Sequence, residues 1–317
     1  MTAPRVSVVT IFLDARRWLA EAVASVLGQT FADWELLLVD DGSSDGSTEL
    51  ARDLAARHPG RVRHLEHPGH ENRGKSTSRN LGIAEARGTY VTFLDADDVF
   101  LPDKLEQQVA ILDRHPDAAM VYGRTLYWFS WDDAGLGGAR DFASKLGVAA
   151  DTLHRPPTLL TAWLRDGGSV PCICSILARR DRVLAVGGFD ETIQHLYEDQ
   201  VLLAKLCLTA PVYVEGGCRE RYRQHDASSS AAAIRSGAYD PLAPNPARAA
   251  FLTWLTGWLA AHPTTDPALH RALRRAWWPL RHPLLHRVAT TLGRRLSVGR
   301  RYWRAARTRM LARTGAA

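Results

Sequence analysis

Three acidic residues, Asp95, Asp97 and Asp98, follow the apolar run Tyr90-Val91-Thr92-Phe93-Leu94. A run of that kind reads as a strand covered on both faces, so its last carboxylates would emerge together at a strand end. Carboxylates spaced this way can divide their work. One carboxylate could face a ribose while another holds Mg²⁺ or Mn²⁺, hard cations that bridge one or two carboxylates to phosphate oxygens and neutralise a departing diphosphate. The same spacing suits the cap of a following helix, and spacing alone leaves both readings open.

A second acidic pair, Asp40-Asp41, ends the run Trp34-Glu35-Leu36-Leu37-Leu38-Val39 and enters the polar turn Gly42-Ser43-Ser44-Asp45-Gly46-Ser47. An aspartate there can accept hydrogen bonds from a nucleotide, but Asp-Asp-Gly is also an ordinary turn. A dinucleotide site would want GxGxxG after the first strand, and that strand leads to Leu13-Asp14-Ala15-Arg16 instead; GxxxxGK[ST] is absent too.

The elements that must position these acids alternate in type. Val6–Phe12 predicts a strand, Trp18–Leu27 a helix stopping at Gly28, and Trp34–Val39 a strand. A helix over Thr48–Arg57, a strand over Val62–Leu65, a helix over Ser76–Ala86 and a strand over Tyr90–Leu94 follow, and Pro102 is expected to open a helix reaching Arg114. Such alternation implies right-handed βαβ units in a mainly parallel sheet, with ligands beyond the carboxyl ends of its strands. From Arg124 to Tyr222 the pattern loosens into mixed sheet, loops and a helix at Asp199–Thr209, with many aromatics between Tyr127 and Trp131.

The chain of 317 residues is 46% hydrophobic and 23% charged, which excludes disorder over most of its length. Its four cysteines form no paired zinc framework and read as free thiols. No signal-peptide pattern opens the chain, and the apolar stretch Ala249–Ala261 falls short of the about 20 residues that span a bilayer, so the expectation is a cytoplasmic protein. The net charge of +6 is uneven: thirteen arginines from Arg271 to Arg313 contribute +13, leaving −7 on residues 1–270. That tail, with Trp277, Trp278, Tyr302 and Trp303, could meet an anionic membrane surface or pack on the acidic core; no recognised nucleic-acid module accompanies it.

In order along the chain stand Val6-Ser7-Val8-Val9, Ala24-Ser25-Val26-Leu27-Gly28-Gln29-Thr30-Phe31, Leu38-Val39-Asp40-Asp41-Gly42-Ser43, Asn72-Arg73-Gly74, Ser78-Arg79-Asn80 and Phe93-Leu94-Asp95-Ala96-Asp97-Asp98. Later come Gly187-Gly188-Phe189-Asp190-Glu191, Glu198-Asp199 and Tyr222-Arg223-Gln224-His225. This ordered set resembles the family 2 glycosyltransferases, whose GT-A fold is α/β with a central sheet flanked by helices. The resemblance implies that Asp41 contacts the base of a nucleotide-sugar donor, with Thr10, Ile11 and Phe12 lining the same pocket. Arg79 would lie near the base or diphosphate, Asp95 and Ala96 by the ribose, and Asp97 on a Mg²⁺ or Mn²⁺ ion that His225 approaches from a loop. Asp199 would be the general base that takes the proton of the acceptor hydroxyl, giving inversion at the anomeric carbon.

The resemblance divides the chain into a nucleotide-sugar-binding half (1–125), an acceptor-binding half with the base (126–240) and a helical, arginine-rich C-terminal extension (241–317). The acceptor could be a glycan, a lipid-linked sugar or a small molecule, with cell-envelope or extracellular polysaccharide synthesis the expected setting. The aromatics near Tyr127 would stack on it or simply be buried, and the segment Asp226–Ser236 is expected to be mobile and to order over the donor. Two departures stand out: Thr10-Ile11-Phe12-Leu13-Asp14 replaces a Pro-Thr-Tyr-Asn-like segment, and the QxxRW motif of processive synthases is absent. A nucleotidyltransferase would want a glycine-rich basic loop after the first strand; a non-catalytic scaffold would have no need of Asp97 and Asp199.

Overall fold

The structure, a computed structural model, describes residues 3–132, 141–166, 170–193, 196–237, 239 and 244–286. The first half runs β1 (Val6–Phe12), α1 (Leu19–Leu27), β2 (Trp34–Asp40), α2 (Ser47–Arg57), β3 (Val62–Glu66), α3 (Lys75–Glu85), β4 (Tyr90–Phe93), β5 (Val99–Phe100) and α4 (Lys104–Arg114). It continues with β6 (Met120–Trp128), β7 (Phe142–Ala143), β8 (Thr152–His154), α5 (Thr158–Asp166), β9 (Leu177–Arg179), α6 (Arg180–Ala185) and α7 (Glu198–Thr209). The last elements are β10 (Val212–Arg223), α8 (Ser229–Arg235), α9 (Pro246–Ala261) and α10 (Pro267–Arg281).

One sheet runs in the order β3-β2-β1-β4-β9-β6-β10-β5, with β7 on β6 and β8 on β10. The first four strands are parallel, Val6 pairing with both Trp34 and Tyr90, as the βαβ alternation requires. Beyond β4 the sheet turns mixed: β9 lies antiparallel to both β4 and β6, while β6 and β10 are again parallel. The parallel expectation therefore describes the first half, and β9 joins it to the second without a crossover helix of its own direction.

Side chains alternate across β1, β2 and β4 and feed two cores. Val9, Ile11, Leu37, Val39, Val91 and Phe93 face α3, α5 and α7. Val8, Leu36, Leu38 and Tyr90 face α1, α2 and α4. Gly82 lets α3 lie close on β1: a methyl group there would sit 2.3 Å from Val9 Cγ1. Helices α9 and α10 share the first core through Phe251, Leu252, Leu255, Leu269 and Leu273.

Several boundaries differ from the sequence expectation. Helix α4 starts at Lys104 after Asp103, so Pro102 precedes it and Asp97 and Asp98 are no caps. Residues 229–235 form α8, begun by Ser228 Oγ accepting from Ala231 N at 3.1 Å and sustained by consecutive alanines. The middle also holds α5 and α6. Pro279 lies inside α10, two residues from its end, and forfeits a hydrogen bond without stopping the helix. Among the described residues no helix is long and apolar enough to cross a membrane, and the four cysteines are free. Tyr302 and Trp303 lie outside the described residues, as does most of the arginine-rich tail.

Candidate active site

The parallel strands deliver the two acidic turns to one end of the sheet, but Asp40 and Asp41 do different things there. Asp40 is fully buried; burial alone would raise its pKa, yet the His64 ring 4.0 Å away and hydrogen bonds from Thr48 and Ser43 hold it well below the carboxylate range. Its partners include Ser43 N at 2.9 Å and Thr48 Oγ1 at 2.5 Å, so it builds the turn. Asp41 accepts from Arg73 N at 2.8 Å, Gly74 N at 3.0 Å and Ser78 Oγ at 3.0 Å, fixing the loop before α3. Gly42 makes this possible with φ of 86°; a side chain there would also meet Asn72 N at 2.8 Å.

At the end of β4, Asp95 receives a hydrogen bond from Arg79 Nη2 at 2.8 Å, and Arg79 Nη1 reaches Glu198 Oε1 at 3.1 Å. Arg79 is buried, and one guanidinium thus joins the strand end to the start of α7. Burial pushes the Asp95 carboxyl up, but Arg79 and Lys75 outweigh it and the pKa falls below the usual value. Asp98 is 1% exposed and accepts from Arg223 N at 2.9 Å, tying the turn to the end of β10. Burial, then the charges of Asp97 and Asp95, drives its pKa well up.

Asp97 points the other way, its Oδ2 lying 2.9 Å from His225 Nε2. If that nitrogen carries the ring proton, Nδ1 presents a lone pair, and Nδ1 is buried without a partner. Trp18 packs on the imidazole at 5.2 Å between ring centres, and Arg223 lies over Trp18 and Trp128 while donating to Asp97 O at 2.7 Å. Among the described residues no three His, Cys, Asp or Glu side chains converge as a metal cage. Two protein ligands and phosphate oxygens are the usual arrangement for Mg²⁺ at a nucleotide, so the pair fits a substrate-completed cation.

A cleft of about 220 Å³ is lined by Lys75, Arg79, Asp95, Asp98, Glu198 and Asp199 among others. Asp199 stands in the first turn of α7, accepting from Gln200 N at 2.7 Å. Burial, then the neighbouring Glu198 charge, pushes its pKa up to about 7 against the pull of Arg79. Tyr197 launches that helix from φ of 70°, a left-handed conformation costly for a bulky residue, and its ring stacks on Phe251 at 5.6 Å.

The structure thus brings Arg79, Asp95 and Asp199 to one cleft and pairs Asp97 with His225 nearby. Thr10, Ile11, Phe12 and Ala96 are buried and do not line that cleft, and Thr10 Oγ1 has no partner. Sequence reasoning missed Lys75, Glu198 as the partner of Arg79, and Arg223. The only signal was position: Lys75 follows Gly74 at a helix start, and Glu198 sits beside Asp199. Tyr127, weighed as a stacking residue, lines the cleft while stacking on Phe142 at 4.7 Å.

The family described as Glycosyl transferase family 2 matches residues 7–182, which span the strand ends and the cleft's first wall. The chain belongs to this family. Putative glycosyltransferase EpsE of Bacillus subtilis is 35% identical over 139 residues, 44% of this chain and 48% of that protein. Putative teichuronic acid biosynthesis glycosyltransferase TuaG of the same organism is 38% identical over 124 residues, 39% of this chain and 48% of that protein. The chain thus spans about half the length of these relatives. In fold, S. aureus TarS 1-349 in complex with UDP-GlcNAc superposes with a TM-score of 0.65 at 16% identity, over 86% of this chain and 72% of that one. Mannosyltransferase PcManGT from Pyrobaculum calidifontis, in complex with GDP-Man and Mn2+, gives 0.51 at 20% identity over 92% and 84%. These likenesses show that the α/β sheet with its flanking and C-terminal helices is of the GT-A glycosyltransferase type.

Proposed function

We propose that this family 2 domain transfers a sugar from a nucleoside diphosphate to an acceptor hydroxyl with inversion at the anomeric carbon. The observation that carries the reading is Asp199, a carboxylate held near neutrality on the wall of the cleft that Arg79 and Asp95 also line. The acceptor oxygen attacks the anomeric carbon, its proton passes to Asp199, and the carbon–oxygen bond to the diphosphate breaks with its electron pair leaving on the phosphate oxygen. A base with a pKa near 7 is well matched to that proton.

Asp97 and His225 would hold Mg²⁺ or Mn²⁺, with donor phosphate oxygens completing the shell. When bound, that cation neutralises charge on the departing diphosphate. The 2.9 Å contact between the Asp97 carboxylate and His225 Nε2 supports this assignment, since two ligands of one cation lie about that far apart. Lys75 and Arg79 supply positive charge on the cleft side, and Asp95, with Ala96 beside it, takes the ribose. The base side falls to Asp41 with Thr10, Ile11 and Phe12; a base would replace a hydrogen bond that Asp41 now accepts from the 73–74 loop.

The halves 1–125 and 126–240 divide donor from acceptor in this reading. The name of one relative, a putative teichuronic acid biosynthesis glycosyltransferase, supports a setting in cell-envelope or extracellular polysaccharide synthesis, which this reading puts on the cytoplasmic side. Helix α10 supports contact with an anionic membrane: it buries Leu269, Ala272, Leu273 and Ala276 and exposes Arg271, Arg274, Arg275 and Trp278, ahead of exposed Leu284 and Leu285. Turnover of a nucleotide-sugar panel with and without Mn²⁺ tests the enzyme reading. Metal-stimulated turnover lost in Asp97→Ala supports it, and no turnover of any donor counts against it. A failure of the unaltered chain to co-sediment with phosphatidylglycerol vesicles would remove the membrane reading, and co-sedimentation that survives Arg274→Glu/Arg275→Glu would remove α10 from it.

A further inference from the structure

A second cavity of about 170 Å³ adjoins the cleft, sharing Tyr197, Gln200 and Tyr239 with it. Trp163 of α5 and Phe251 of α9 supply further walls, and among the described residues its one charged lining side chain is Arg248. Lys75, Arg79, Asp95 and Asp97 do not line it, so it lies away from the groups assigned to the diphosphate. Gln200 follows Asp199, which places this cavity on the side of the general base.

Arg248 is unusual in its company. Arg79 is matched by Asp95 and Glu198, and Arg223 by Glu21 at 2.5 Å. The Arg248 guanidinium has neither an ion pair nor a hydrogen bond among the described residues; its backbone N–H donates to Asn245 Oδ1 at 2.8 Å. It is half-buried in the first turn of α9, a turn that holds no acid. A helix start favours anions and disfavours cations, so the side chain stands where its charge adds to the helix field instead of opposing it. The Gln200 side-chain amide, between the two cavities, is likewise without a hydrogen bond among the described residues. An aromatic-walled cavity with a guanidinium that no described carboxylate neutralises suits a sugar ring carrying an anion, since guanidinium forms bidentate pairs with carboxylate and phosphate.

We propose that this cavity is the acceptor subsite and that it selects an acceptor sugar bearing a carboxylate or phosphate, bound by Arg248. The proposal rests on the sugar-transfer reading for the word acceptor, while the anion selectivity can be measured by binding alone. The probes are methyl glucuronide, glucose 6-phosphate and neutral methyl glucoside, titrated into the full chain with UDP and Mn²⁺ present. One charge-assisted pair predicts that an anionic probe binds about tenfold or more tightly than the neutral one. Arg248→Gln should erase that preference, and Arg248→Lys should keep part of it; melting curves report folding, and in the unaltered chain added salt should weaken the anionic probe selectively. Preference for glucuronide alone assigns a uronic acid, and for the phosphate alone a phosphate ester. Equal binding of all three probes, or a preference that survives Arg248→Gln, overturns the proposal. Donor turnover by the unaltered chain is measured in parallel: its absence speaks against sugar transfer without altering the binding comparison.

Discussion

Around the ends of β2 and β4, three acids each have a partner: Asp41 holds a loop, half-buried Asp95 meets Arg79, and Asp98 meets the Arg223 amide. On the side built from α7 and α9, Asp199 is raised to about 7 beside Glu198, and Arg248 stands without a counter-ion among the described residues. The first side is organised before any substrate arrives. The second stores electrostatic tension that a proton or an anion would relieve, as expected where chemistry and selectivity are exerted.

The largest expected effect breaks the second side. Asp199→Asn should lower the rate of transfer by roughly 10²- to 10⁴-fold, the range for a lost general base, read as donor turnover. In the unaltered chain the base works only when deprotonated, so the same rate should rise with pH through about 7 as one proton leaves. Breaking the first side should act on stability: Arg79→Leu leaves Asp95 and Glu198 without their cation and should cost about 3–5 kcal/mol in denaturant unfolding. Replacing Glu198 by Leu in the same chain should recover part of that loss.

Gly42→Ala sharpens the comparison at the Asp41 turn. A side chain forced to positive φ and against Asn72 should cost about 1–3 kcal/mol, read as a lower denaturation midpoint. The smallest effect separates tension from catalysis. A carboxyl whose folded pKa is raised stabilises the fold below its unfolded pKa of 3.8 relative to higher pH, and that contribution is lost as pH rises to about 7. Asp199→Asn should therefore melt a few degrees above the unaltered chain at pH 8, with the gap closing towards pH 4.

The organised side was legible in the sequence because β1 and β2 are continuous apolar runs, and buried parallel strands read that way. Even there spacing alone did not separate Asp40 from Asp41, since which carboxylate faces the turn and which the loop depends on Thr48, His64 and residues 73–74. The tense side was less legible. Asp199 came from resemblance, but its raised pKa needs the packing around Glu198 and Arg79, 119 residues apart in the chain. Arg248 carried no signal, because a cation at a helix start is meaningful only once the described side chains around it are known not to pair with it. Helix α5 hid between prolines and glycines, although Leu159, Leu160, Trp163 and Leu164 already made an apolar face.

The most direct test of the central claim follows the anomeric proton of the released sugar by NMR, using a nucleotide donor that turns over with water as acceptor. Direct displacement assisted by Asp199 predicts that the first product of an α-linked donor is the β anomer, and that Asp199→Asn slows its appearance at least a hundredfold. An α product from the unaltered chain, or a β product formed at undiminished rate by Asp199→Asn, would contradict the account.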